Sequence, residues 1–171
     1  MSDRKGAVTM KGNPLTLTGS EVEVGKNAPD CTVVANDLSE VQLSSFKGKK
    51  CLLLTVPSLD TGVCHKETKQ FNEEAGRLGD QVQILTVSMD LPFAQKRWCA
   101  AEGVSNLRTV SDYKHLEMGN NFGVLIKELK LLARAVFVID SKGKVQYIQI
   151  VKEVTSEPDY QAALDAVKKA T

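Results

Sequence analysis

Two apolar runs with an amphipathic segment between them constrain the fold of this chain more than any other feature. Residues 51–56 (CLLLTV) and 81–88 (QVQILTVS) are almost continuously apolar, which is typical of central β-strands covered on both faces. Between them, a stripe recurs with the 3.6-residue period of an α-helix, and its members are Cys64, Thr68, Phe71, Ala75 and Leu78. The pattern therefore predicts a β-α-β unit.

The remaining segments predict a small set of further elements around this unit. A second helix is expected from an N-cap at Asp90 to a stop at Gly103, whereas residues 107–128 follow no clear period. Hairpins and short strands are predicted at residues 8–18, 32–43 and 135–150, and a last helix at residues 158–169. This order is typical of a thioredoxin-like α/β fold, with a central mixed sheet flanked by helices. We expect one domain over residues 1–171, including an N-terminal β-hairpin extension at residues 1–18.

The composition of the chain limits its possible binding partners and its cellular compartment. The 22 Lys and Arg residues nearly balance 21 Asp and Glu residues and are spread along the chain, which argues against nucleic acid or a membrane surface as the main partner. No apolar run approaches the ~20 residues of a membrane span, and no apolar segment follows Met1 as in a signal peptide. These features predict a cytoplasmic protein, in which a cysteine more often serves catalysis or redox chemistry than a structural disulfide.

The four cysteines and two histidines lack the spacing of a metal site. No C-x-x-C pair occurs, so neither a zinc site nor another cofactor is expected. Cys31 and Cys51 lie in strand-like segments and are interpreted as packing residues. Cys99 lies on the second predicted helix, on the same face as Gln95 and Glu102, and we expect it to be easier to reach from solvent than Cys64.

Cys64 stands at the predicted start of the first helix, behind the turn PSLDTG. Exposed backbone N–H groups and the positive end of the helix dipole favour a thiolate at such a position. The alternative is a small buried hydrophobic residue, because Cys64 also belongs to the apolar stripe. Thr61 is interpreted as an ordinary N-cap, as a hydroxyl aimed at a substrate, or as both at once. Pro57 ends the strand, and it could also shield the thiolate from water and fix the turn.

Arg134 interrupts the apolar run at residues 131–138 (LLARAVFV). A guanidinium inside such a run is unfavourable unless it is paired. It could extend from a strand end to solvent, pair with a carboxylate, or place a cation beside the Cys64 thiolate.

These residues together resemble the peroxiredoxin family. Pro57, Thr61 and Cys64 match its P-x-x-x-T-x-x-C signature, and Arg134 stands where the family has its distal arginine. The further segments at residues 12–14, 90–95, 132–136 and 155–160 resemble the thiol peroxidase subfamily, so the resemblance covers nearly the whole chain.

The resemblance implies a thioredoxin-like homodimer that reduces hydrogen peroxide and organic hydroperoxides to water and alcohols. It also implies that Cys64 is the peroxidatic cysteine, which becomes a sulfenic acid, and that Cys99 of the same chain resolves it as a disulfide. Thioredoxin is then the reductant, and Pro57, Thr61 and Arg134 complete the catalytic positions. Cys31 and Cys51 match no functional position in the family pattern.

Two other functions fit a reactive cysteine on this fold. A thioredoxin-type disulfide oxidoreductase would use C-x-x-C, but Thr61 stands where the first cysteine would lie. A binding-only or redox-sensor protein would need Cys64 for signalling but not for peroxide turnover. Peroxide consumption coupled to a thioredoxin system separates these functions.

Overall fold

The computed structural model of the chain describes residues 2–171, so Met1 of the predicted extension lies outside the described residues. The helices are α1 (Gly62–Leu78), α2 (Pro92–Glu102), α3 (Glu117–Asn121) and α4 (Tyr160–Lys169), with a 3-10 helix at Leu43–Phe46. The strands are β1 (Arg4–Met10), β2 (Asn13–Thr18), β3 (Thr32–Ala35), β4 (Glu40–Gln42), β5 (Lys50–Thr55), β6 (Val82–Ser88), β7 (Arg108–Ser111), β8 (Leu125–Ile126), β9 (Leu131–Leu132), β10 (Ala135–Ile139) and β11 (Val145–Ile150).

Seven strands form the central mixed sheet, in the order β11-β10-β5-β6-β7-β3-β4. β5, β6 and β7 are parallel, whereas β10 and β3 pair antiparallel to the parallel core. The predicted β-α-β unit is confirmed as β5-α1-β6, and its two strands lie side by side at the centre of the sheet.

Both faces of this sheet are covered, which explains why its central strands are continuously apolar. Leu52 and Leu54 pack on the face that holds Phe71 of α1 and the buried residues of α4. Leu53 points the other way and packs with the apolar side chains of α3 and the second sheet. The alternation follows from the two-residue period of a strand.

The predicted N-terminal hairpin is present as β1 and β2. It belongs to a second sheet of four strands, in the order β1-β2-β8-β9. From β9 the chain continues through Ala133 and Arg134 into β10 of the central sheet. Arg134 therefore lies between the last strand of one sheet and an inner strand of the other, instead of within a strand.

Residues 107–128, which had no clear pattern, contain β7, α3 and β8. Each element is too short to show a period in sequence, and tertiary contacts define them. The buried Asp112 carboxylate accepts hydrogen bonds from the backbone N–H groups of Met118 and Gly119, at 3.0 and 2.8 Å, and so organises the start of α3. Burial raises the pKa of Asp112 to about 6, against these two hydrogen bonds.

Candidate active site

Cys64 lies in the first turn of α1 and its side chain is fully buried. The chain leaves β5, passes the buried Pro57 and turns before the helix begins. Thr61 is the N-cap, as one of its two interpretations predicted, since its Oγ1 accepts a hydrogen bond from the Cys64 N–H at 3.4 Å. The same hydroxyl lies 3.3 Å from the Ser58 carbonyl oxygen, to which it can donate. The cap therefore connects the turn to the helix start.

Asp90 braces this turn, and its predicted role as the N-cap of the second helix is wrong. Leu91 is the N-cap of α2, without a side-chain hydrogen bond. The Asp90 carboxylate instead accepts from the Ser58 hydroxyl and the Leu59 N–H, both at 2.7 Å. Because these partners are distant in sequence, local pattern alone could not reveal them. The predicted end of the helix is confirmed, since Gly103 adopts φ +66°, a left-handed conformation that favours glycine.

Arg134 reaches Cys64 from the junction between the two sheets. The residue is only 1 % exposed, and Nη2 donates to the Cys64 Sγ at 3.1 Å. Nη1 donates to Glu67 Oε2 at 2.6 Å, and Nε to the Val154 carbonyl oxygen at 2.9 Å. Two of the interpretations left open by the sequence therefore hold together: the guanidinium is paired with a carboxylate and lies beside the cysteine.

Glu67 is the residue of this site that sequence reasoning missed. It lies three positions after Cys64, on the same side of α1, and its side chain is fully buried. Oε1 has no hydrogen-bond partner among residues 2–171, so the contact of Oε2 with Arg134 is the main stabilising interaction of the Glu67 carboxylate. Burial raises the pKa of the Glu67 carboxyl to about 7, and Arg134 opposes this rise. A carboxylate three residues after Cys64, next to the stripe that contains Cys64 and Phe71, was the available signal.

Substitutions of Glu67 should show how much the Glu67–Arg134 pair contributes to the stability of the fold. We expect Glu67→Ala to lower the free energy of unfolding by about 3–5 kcal/mol, because Arg134 is left buried without its partner. Glu67→Gln should cost about 1–2 kcal/mol, since an amide oxygen can still accept from Nη1. Urea denaturation at pH 7 measures both changes.

The pH dependence provides the control for this prediction. A carboxyl whose pKa rises from 4.5 to about 7 on folding is more protonated in the folded state, so its contribution to stability falls as pH rises through that window. The free energy of unfolding of the native chain should therefore fall by on the order of 2 kcal/mol, relative to Glu67→Gln, between these pH values. Parallel pH profiles for the two proteins would contradict the raised pKa.

Cys99 lies in α2, half-buried, with its Sγ 3.4 Å from the Thr109 Oγ1. It is more exposed than Cys64, as predicted, but the reason given was wrong. Gln95, on the same helix face, is fully buried and donates to the Ser88 hydroxyl and the Val110 carbonyl oxygen, each at 2.9 Å. This face therefore packs on the sheet. Burial raises the pKa of the Cys99 thiol, and the contact with Thr109 opposes the rise.

Trp98 packs against the residues around both Cys64 and Cys99. It packs against the small apolar cluster of Val56, Leu59 and Cys64 and also against the cluster that holds Cys99. Both cysteines are free thiols. In this conformation the Cys64 Sγ is engaged by Arg134 and the Cys99 Sγ by Thr109, so each thiol has its own partner.

Cys31 and Cys51 are buried in the core, in agreement with their prediction as packing residues. Burial raises the pKa of both thiols, that of Cys51 to about 12. Neither is therefore a competent nucleophile near neutral pH. Among residues 2–171 no cluster of His, Cys, Asp and Glu side chains could hold a metal ion. In the same described region, no helix is both long enough and apolar enough to span a bilayer.

The fold is shared with solved structures of other proteins. A crystal structure of a peroxiredoxin-like protein from Aquifex aeolicus superimposes with a TM-score of 0.90, at 44% identity over 99% of each chain. A thiol peroxidase from Chromobacterium violaceum shares the fold with a TM-score of 0.84, at 17% identity over 95% of each chain. The chain therefore has the fold of the peroxiredoxin-type oxidoreductases, with a buried cysteine and a buried arginine in contact.

Sequence comparison narrows this class further. Residues 23–164 match the Redoxin family. A thiol peroxidase of Halalkalibacterium halodurans is 56% identical over 164 residues, which are 96% of this chain and 98% of the relative. A thiol peroxidase of Bacillus subtilis is 52% identical over 161 residues, covering 94% of this chain and 96% of the relative. The chain belongs to the Redoxin family and, within it, to the thiol peroxidases.

Proposed function

We propose that this peroxidase reduces hydrogen peroxide and organic hydroperoxides through a sulfenic acid on Cys64, with Cys99 as the resolving cysteine and thioredoxin as the reductant. The observation that carries the proposal is the buried contact of 3.1 Å between Arg134 Nη2 and Cys64 Sγ. A guanidinium in this place holds a thiolate and also presents a donor where an attacked peroxide oxygen would lie.

In the first step the Cys64 thiolate attacks one peroxide oxygen. An S–O bond forms while the O–O bond breaks, and the other oxygen leaves with a proton as water or an alcohol. The sulfur is oxidised and the peroxide is reduced by the same electron pair. Pro57, which is buried beside the turn, helps to exclude bulk water from the thiolate.

Ionisation of the thiol accounts for only part of such a rate. An ordinary cysteine is roughly 3% thiolate at pH 7, so complete ionisation increases the rate by about 30-fold, or ~2 kcal/mol. A less basic thiolate is also a weaker nucleophile, which removes part of this increase. We therefore assign the larger share to donors positioned for the breaking O–O bond, namely Arg134, the Thr61 hydroxyl and the backbone N–H groups at the start of α1.

In the second step Cys99 attacks the sulfenic sulfur, and water leaves as the disulfide forms. A disulfide requires Cα atoms within about 7 Å, whereas Cys64 and Cys99 lie on different helices with separate partners. We propose that part of α1 or α2 unwinds locally at this stage. Unwinding would also expose Cys99, whose pKa is raised by burial, and would so increase the fraction of reactive thiolate.

The cycle closes when a thioredoxin dithiol exchanges with the Cys64–Cys99 disulfide. We propose that the chain does this in the cytoplasm, as one domain, and as a homodimer. The exposed apolar side chains Leu91 and Phe93, which are 52% and 66% exposed near the start of α2, give a second copy an apolar surface to cover.

Replacing Cys99 by serine should separate the two halves of the cycle. In stopped-flow experiments with one equivalent of peroxide, Cys99→Ser should oxidise Cys64 at a rate within about twofold of the native protein. Steady-state consumption of peroxide with thioredoxin, its reductase and NADPH should fall at least about tenfold, because no disulfide is available for exchange. Cys31→Ser, which changes a buried cysteine outside the site, is the matched control and should keep both activities.

Native steady-state turnover by Cys99→Ser would contradict its resolving role. Failure of the native protein to consume peroxide with the thioredoxin system would contradict the proposed reductant. Superimposable backbones around both cysteines in the reduced and oxidised proteins would contradict the proposed unwinding.

A further inference from the structure

A cavity lies at the end of the central sheet opposite Cys64. It is formed near the start of β5 and the end of β10, whereas Arg134 precedes the start of β10 and Cys64 follows β5. Its volume is about 120 Å³, and its floor is apolar, formed by Leu43, Phe46, Cys51 and Ile139. The mechanism uses none of these residues.

Two lysines line the mouth of this cavity, and two more lie on a neighbouring turn. Lys47 and Lys49 line the cavity directly. The Gly48 N–H donates to the Ser141 carbonyl oxygen at 2.8 Å, which places the turn carrying Lys142 and Lys144 alongside them. Within residues 2–171, none of these four ammonium groups forms a salt bridge with a carboxylate. These lysines belong to two separate segments of the chain, and folding brings them to one end of the molecule.

The two carboxylates at the cavity are bound to backbone N–H groups. Asp140 Oδ1 accepts from the N–H groups of Lys142 and Lys144, each at 2.9 Å, and its Oδ2 accepts from Gln146. Asp30 Oδ1 accepts from the N–H groups of Cys31 and Ser44. Both carboxylates also lie near lysines, Asp30 near Lys47 and Asp140 near Lys142, but four lysines against two carboxylates leave this end of the molecule with a net positive charge that can attract an anion from solution.

We propose that this cavity binds a small organic anion, a carboxylate that carries a short alkyl chain or a single ring. The apolar floor takes the hydrocarbon part, and Lys47 and Lys49 attract the carboxylate at the rim. A comparable dry cavity of about 150 Å³ accommodates benzene, so the hydrocarbon part has about six carbons. An extended polyanion or an anionic membrane would contact the lysines without entering the cavity.

Hexanoate, hexanamide and inorganic phosphate are suitable probes, titrated into the reduced protein and followed by amide chemical shifts. Hexanoate should give saturable shifts at Phe46, Cys51 and Gly143, with a Kd of about 1 mM or tighter. Hexanamide, which lacks the charge, and phosphate, which lacks the hydrocarbon, should each bind about three- to tenfold more weakly. Absence of saturable shifts at the cavity, or equal affinity for all three probes, would overturn the proposal.

Two sets of variants locate the interaction. Lys47→Gln with Lys49→Gln should weaken hexanoate binding about three- to tenfold. Lys168→Gln with Lys169→Gln removes the same charge from the end of α4 without touching the cavity, and should change the Kd less than twofold. Equal losses in both double variants, or vesicles of anionic phospholipid that bind while the cavity amides stay unshifted, would show a general charge effect and overturn the proposal.

Filling the cavity is an independent test. Cys51→Met should abolish the hexanoate shifts, because the longer side chain occupies the space in which the alkyl chain would lie. If this variant does not fold, the lysine variants still decide the question. Peroxidase turnover of all variants should stay native, so failure of this site is distinguishable from failure of the proposed catalytic cycle.

Discussion

Cys64→Ser is expected to abolish peroxide reduction, with the rate of the first turnover falling at least about 10³-fold. The serine hydroxyl can occupy the same buried place and can still accept a hydrogen bond from Arg134, so the fold should be retained. It cannot act as the thiolate, because an alcohol does not ionise near neutral pH and forms no sulfenic acid. Stopped-flow kinetics with one equivalent of peroxide measures this step without the thioredoxin system.

Cys51→Ala is a matched control for Cys64→Ser, since it also alters a buried cysteine near the central strands. Its thiol pKa is raised to about 12 by burial, and the proposed cycle assigns it no role. We therefore expect native peroxide kinetics from Cys51→Ala, with a modest loss of stability. Rapid peroxide reduction by Cys64→Ser would show that another thiol is the nucleophile.

Arg134→Ala is expected to lower the second-order rate constant of the first turnover by about 10²–10³-fold. Arg134 is the side chain that donates directly to the Cys64 Sγ, and it is buried where water cannot replace it. The measurement should be made over a pH series up to the plateau, where the thiol is fully ionised. A loss that persists on the plateau is then a loss of transition-state stabilisation and cannot be explained by a smaller thiolate fraction.

Stability has to be separated from catalysis in this variant. Arg134→Ala leaves the Glu67 carboxyl buried without its partner, and its pKa then rises further; the variant should destabilise the fold by about 3–5 kcal/mol at a pH where this carboxyl is ionised. The double variant Arg134→Ala/Glu67→Gln removes the uncompensated charge and should recover part of the stability while the rate stays low. Arg134→Lys keeps a charge, but an ammonium group cannot hold Cys64, Glu67 and Val154 in the planar arrangement of a guanidinium.

Recovery of native plateau kinetics in the double variant would show that Arg134 serves only to neutralise Glu67. Native plateau kinetics in Arg134→Ala itself would exclude its role as a donor to the breaking O–O bond.

Local sequence patterns predicted the parts of this structure that depend on residues close together in the chain. The β5-α1-β6 unit followed from two apolar runs and one helical stripe, because periodicity reports directly which faces are buried. The start of α1 followed from Thr61, whose short side chain is suited to capping a helix three residues before Cys64. The N-terminal hairpin and the hairpin of β10 and β11 followed from turn residues between apolar segments.

Other features depended on partners that are distant in the chain. Asp90 was misassigned as a cap because its carboxylate binds the turn at Ser58 and Leu59, about thirty positions away. The helix face that carries Cys99 was wrongly predicted to be exposed, because the polar residue Gln95 on this face is buried against β6 and β7. A polar side chain is usually exposed, and only the full set of its hydrogen bonds shows when it is not.

The sequence by itself determined that this chain forms a thioredoxin-like sheet with a cysteine at a helix start, since those features depend on local periodicity and capping. It also marked Arg134 as unusual, because a charged residue within an apolar run requires a partner. Only the tertiary structure decided what that partner is. The junction of two sheets brings the Arg134 guanidinium to Cys64 and Glu67 at once, across 70 and 67 positions of the chain. Such a contact depends on packing between distant elements, which no local pattern encodes.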